Sequence, residues 1–60
     1  MPIVTVQQSP RDLDRKRRLV AGITQAFVDA YAVRPEAVQV YIHEIDDENW
    51  AKAGKLSADG

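Results

Sequence analysis

The spacing of apolar residues changes period twice within sixty residues, and this constrains the fold more than any other feature. From Ile3 to Gln7 the pattern has period two, with Val4 and Val6 on one side and Ile3, Thr5 and Gln7 on the other. From Leu13 to Tyr31 it becomes helical. Leu19, Ile23, Ala26, Phe27 and Ala30 form one stripe, Leu13, Val20 and Tyr31 widen it, and Arg15, Arg18, Gln25 and Asp29 lie opposite. From Val38 to Glu44 period two returns, with Val38, Val40 and Ile42 facing one way and Gln39, Tyr41 and His43 the other. A helix of this length between two strands is a crossover, which calls for a parallel pair with a right-handed connection.

The boundaries have local causes. Pro10 breaks the first strand, and Asp12 is a helix N-cap, with Asp14 adding favourable negative charge to the first turn. Arg34 precedes Pro35 and is pushed out of the helical region. Gly22 in mid-helix costs about 1 kcal/mol relative to Ala; a tolerated defect and the approach of another backbone explain it equally well. Trp50–Leu56 reads as a short hairpin or an arm, and the last residues are expected to fray. Residues 1–60 form one domain of α+β class, a single β-α-β unit.

Such a unit is too small to be comfortable alone. A chain this short buries only about 60% of its unfolded surface. It has no cysteine for a disulfide and no Cys-His cluster for structural zinc. Two strands and one helix leave a sheet face and both sheet edges open. With 45% apolar residues, the remaining stabiliser is self-association, so a homo-oligomer is expected. Net charge is −1, which argues against general attraction to nucleic acid or anionic lipid. No apolar run approaches a membrane span and no charged-then-apolar leader opens the chain, so the expectation is a cytoplasmic protein.

Three residues stand out chemically. Pro2 opens the first strand, one of the few strand positions proline tolerates. If Met1 is trimmed, Pro2 carries a free secondary amine; if Met1 stays, the nitrogen is an amide and no base. An α-amine titrates near ~8, and burial or a nearby cation lowers that towards neutrality, which suits proton abstraction next to a carbonyl. Arg11 sits in the loop ahead of the helix, where its planar fork can meet a carboxylate. Trp50 caps a core or interface, or walls an apolar pocket. The single histidine, His43, has no second His or Cys to support a metal site, and the basic run Pro10–Arg18, diluted by two acids, reads as a solvated helix face.

Met1-Pro2-Ile3 opening a strand, Arg11 before a long helix, Lys16 and Leu19 within it, Val38, Val40, Ile42 and Glu44 on the second strand, and Trp50 followed by Gly54 together resemble the short subunits of the tautomerase superfamily, in the 4-oxalocrotonate tautomerase (2-hydroxymuconate tautomerase) group. The resemblance covers nearly the whole chain. It implies loss of Met1 and an amino-terminal proline acting as general base. It implies keto–enol or related isomerisation of an unsaturated 2-oxoacid, with neither metal nor organic cofactor. It further implies dimers with a four-stranded sheet, three dimers to a hexamer, and active sites drawing on more than one subunit.

On that pattern Pro2 is the base, Arg11 grips a carboxylate of a small-molecule substrate, and Trp50 is part of the apolar wall. The best-studied members carry a second arginine where this chain has Gln39, at the position that meets the substrate's 2-oxo and carboxylate oxygens. The loop after the first strand is also one residue shorter. A neutral amide stabilises an enolate less than a charge-assisted donor does, so a monocarboxylate or aryl enol suits the chain better than a dicarboxylate. Lys52 or Lys55 is a candidate replacement cation. Two other readings stand beside this one: a relative that hydrates or dehalogenates short unsaturated acids, with Glu44 or Asp47 activating water, and a non-catalytic oligomeric module that keeps the fold.

Overall fold

The computed structural model describes all 60 residues. Strand β1 spans Ile3–Gln8, helix α1 spans Leu13–Tyr31, and strand β2 spans Gln39–Glu44. β1 and β2 pair in parallel, with Ile3 opposite Gln39 and Gln8 opposite Glu44. The β-α-β unit with parallel strands is therefore as the sequence periods require. β1 runs one residue further than expected, through Gln8. β2 starts one residue later, because Pro35–Ala37 form a 3-10 turn that the Val38 N–H closes onto Pro35 O at 3.1 Å.

Asp12 caps α1 as its position predicts. Its carboxylate accepts from the Arg15 N–H at 3.1 Å, satisfying one of the donors that a helix start leaves unpaired. The helix ends where Ala32 turns left-handed (φ 55°) and its N–H reaches Val28 O.

The face that α1 turns to the sheet differs from the expected stripe. The half-buried helix positions are Lys16, Val20, Ile23, Thr24, Phe27 and Val28. Leu19 is 39% exposed, Tyr31 is 68% exposed, and Leu13, Ala26 and Ala30 are also exposed. The apolar band is wider than one sheet contact needs. One edge of it meets β2, whose Val40 and Ile42 are half-buried like Val4 and Val6 of β1, and the other edge is left open. Ala26, Phe27, Ala30 and Tyr31 line a shallow apolar groove of about 220 Å³ there. Phe27 and Tyr31 meet edge-to-face at 5.6 Å.

Beyond β2 the chain forms an arm. A 3-10 turn at Asp47–Asn49 leads into the hairpin of β3 (Ala51–Lys52) and β4 (Lys55–Leu56). Its two turn residues, Ala53 (φ 54°) and Gly54 (φ 79°), are both left-handed, the backbone that a two-residue hairpin turn needs. At the terminus Ser57–Asp59 form a further 3-10 turn that packs with the hairpin on Asp47–Asn49. Ser57 N–H ties this end to Trp50 O at 2.7 Å.

No residue of the chain is fully buried. The radius of gyration is 14.7 Å, against about 10 Å for a globular chain of this length. One copy thus holds a half-covered sheet and an extended arm, with no closed core. No helix is long and apolar enough to cross a membrane.

Candidate active site

The parallel register sets Gln39 opposite Ile3, next to Pro2 in the ladder. The Gln39 N–H donates to Pro2 O at 3.0 Å, extending the ladder past Ile3 and fixing the entry to β1. Pro2 is half-buried there. On the same strand, and on the face turned away from α1, the Tyr41 hydroxyl donates to Gln39 Oε1 at 3.3 Å.

Arg11 lies at the opposite end. Six strand residues at about 3.3 Å each separate Pro2 from the C-terminal end of β1 by roughly 20 Å. There the Arg11 N–H donates to Glu44 Oε2 at 3.0 Å, and Lys16 Nζ meets the same oxygen at 3.1 Å. Glu44 thereby ties the end of β2 both to the loop before α1 and to the first turn of α1. The Arg11 N–H bond, followed by the Lys16 contact, holds the Glu44 carboxyl below the usual glutamate range; partial desolvation opposes them.

Gln8, Arg11, Arg15, Lys16 and Leu19 line a groove of about 220 Å³ beside this clamp. Its three cations are not equivalent. Lys16 is committed to Glu44, and Arg15 pairs with Asp12 at 3.3 Å. Arg11 donates through Nη1 only to Pro10 O, at 2.9 Å, so its guanidinium has no carboxylate partner. Positive charge in the groove is therefore uncompensated at Arg11, which can take one carboxylate from outside.

Trp50 stands in neither cluster. It is half-buried in the arm, its N–H directed to Asp47 O and its carbonyl to Ser57. Within one protomer Pro2 and Gln39 meet through a backbone hydrogen bond, and Arg11 and Trp50 lie elsewhere. His43, opposite Gln7 on the outer sheet face, makes no side-chain hydrogen bond or ion pair. Two features escaped the reading of the sequence as site elements: Tyr41 as a partner of Gln39, and Glu44 as the anchor of the Arg11 loop. The first was signalled by alternation, which puts positions 39 and 41 on one strand face. The second joins residues 33 positions apart, and no local pattern announces it.

Solved structures of 4-oxalocrotonate tautomerase homologues share this parallel β-α-β fold. An isozyme of that enzyme from Methylibium petroleiphilum superposes with a TM-score of 0.88, at 36% identity over 97% of this chain and 92% of that one. The 2-hydroxymuconate tautomerase of Bacillus subtilis (strain 168) is 35% identical over 60 residues, covering 98% of this chain and 97% of the relative. A probable tautomerase, K2, of Dickeya dadantii (strain 3937) is 32% identical over 92% of this chain and 85% of its own length. The model of the family described as tautomerase enzyme matches residues 2–60, and the chain belongs to that family.

Proposed function

We propose that the protein is a cofactor-independent keto–enol tautomerase acting on the enol of a 2-oxoacid, with Pro2 as general base once Met1 is removed. The observation that carries this reading is the family match, which begins at Pro2 and runs to the end of the chain. In the proposed reaction the Pro2 amine takes the proton of the enol hydroxyl. Negative charge develops on the 2-oxygen and is met by the Gln39 amide. The proton held on Pro2 then goes to carbon, which completes the isomerisation with no net change in atoms. Arg11 holds the substrate carboxylate, and Trp50 supplies apolar wall that keeps the amine's affinity for protons down.

The separation of Pro2 from Arg11 supports a site built from more than one copy, because no side chain spans roughly 20 Å. The absence of any buried residue supports the same homo-oligomeric assembly. Among the cations of the groove only Arg11 lacks a carboxylate partner, and with neutral Gln39 at the other pole this favours a monocarboxylate such as the enol of phenylpyruvate.

The test follows ketonisation of phenylpyruvate enol by ultraviolet absorbance in wild type and Pro2→Ala. Loss of most activity in the variant is expected. Undiminished ketonisation would reject Pro2 as the base, and turnover of a 3-haloacrylate in place of the enol would mark hydrolytic dehalogenation instead.

A further inference from the structure

Gln39 makes two different hydrogen bonds, and they constrain its side chain. Its backbone N–H is committed to Pro2 O. Its Oε1 accepts from the Tyr41 hydroxyl at 3.3 Å, while Nε2 has no partner. A primary amide is ambivalent, since either end can face a ligand. An amide oxygen has only lone pairs to offer, so against it the phenol must be the donor. In that contact Oε1 is the engaged end of the amide and Nε2 the free one.

We infer that Tyr41 is a positioning residue that makes Gln39 a dedicated hydrogen-bond donor to the 2-oxygen of a 2-oxo carboxylate ligand. The inference rests on the proposed tautomerase site for the identity of that ligand. Donation into Oε1 also polarises the amide and strengthens Nε2–H as a donor, as in other hydrogen-bond chains. In the reverse arrangement Nε2 would donate to the phenol and Oε1 would face the ligand, repelling an enolate. The hydroxyl therefore compensates in part for the charge that a glutamine lacks. Both side chains belong to β2 and stay together whichever protomer's Pro2 they serve.

The test uses two unreactive probes. Benzoylformate has a carboxylate and a 2-oxo group but no hydrogen on the neighbouring carbon, so it cannot enolise. Benzoate keeps the carboxylate and lacks the 2-oxo group. Dissociation constants are measured by calorimetry for wild type, Tyr41→Phe, Gln39→Arg and the double variant, each checked for native circular dichroism and assembly mass. Tyr41→Phe should weaken benzoylformate about three- to tenfold, the scale of one neutral hydrogen bond, and leave benzoate unchanged. In the Gln39→Arg background, removing the hydroxyl should change neither, because a guanidinium has only donors to present.

Equal losses on both probes or in both backgrounds, no loss at all, or wild-type binding of benzoylformate no tighter than benzoate would each overturn the role of Tyr41. Ketonisation by the same proteins separates the two levels. The expected binding pattern without turnover would reject the catalytic reading and keep the positioning role. Turnover with a flat binding pattern would do the reverse.

Discussion

Dilution is the perturbation that probes this molecule most simply. A folded monomer of 6.7 kDa should expose about 3,900 Å², whereas one copy of this chain exposes 4869 Å². The excess, about 1,000 Å², exceeds the roughly 800 Å² that each partner buries in a standard stable interface. Ile3 at 62% and Tyr41 at 54% exposure put part of it on the outer sheet face, and Tyr31 puts part on the helix.

Folding should then be coupled to association, and thermal stability should depend on concentration. With an unfolding entropy of about 2.1 cal/mol/K per residue, a dimer gains about 0.25 kcal/mol/K and loses 5–6 °C in Tm per tenfold dilution, roughly; a hexamer loses about 9 °C. Circular dichroism melts over a hundredfold concentration range, with mass from light scattering, read this directly. Specific activity should fall as the assembly dissociates, because Arg11 and Pro2 stand at opposite ends of one copy. A 6.7 kDa species with a concentration-independent Tm would refute the argument from exposed surface.

Two further outcomes follow from the Arg11 end of the fold. Arg11→Ala should raise KM for a carboxylate enol about 10- to 100-fold, the range of a lost charge-assisted hydrogen bond, with a smaller change in kcat; equal KM values for wild type and variant would remove Arg11 from the site. Because the folded-state pKa of Glu44 is depressed, the stability it contributes is present above the ordinary value of 4.5 and is lost as pH falls through the lowered folded value. The stability gap between wild type and Glu44→Gln in urea titrations should therefore be open at pH 6–7 and close in acid; a gap that is constant with pH would show that the Glu44 charge does not hold the clamp.

Much of the fold was legible because it follows from local periodicity and local chemistry. Two alternating segments around a long helical one dictate a crossover, and Asp12, Pro10 and Pro35 mark boundaries through capping and steric effects that act over a few residues. The orientation of α1 was not legible. Its apolar band is broad enough to serve two partners, and a helical period cannot say which edge meets the sheet: Leu19, Ala26 and Ala30 lie on the open edge, and polar Lys16 and Thr24 lie near the sheet. Lys16 tolerates that place because Glu44 neutralises it, with side-chain exposures of only 25% and 31%.

The sequence nominated candidate site residues one at a time and not as one constellation. Pro2 and Gln39 meet through the backbone ladder, whereas Arg11 lies at the other end of β1 and Trp50 in the arm. The Tyr41–Gln39 contact lay within reach of the alternation rule, yet an exposed tyrosine on a sheet face looks like any surface aromatic until its hydroxyl has a partner.

The account stands or falls on a free, reactive amine at Pro2. The direct measurement is the intact mass of protein purified from its native host, before and after treatment with 3-bromopyruvate, followed by peptide mapping. The account predicts a mass lacking Met1 and an adduct on Pro2. A retained Met1 with no adduct at residue two would contradict it, leaving the β-α-β fold intact and the proposed chemistry without a base.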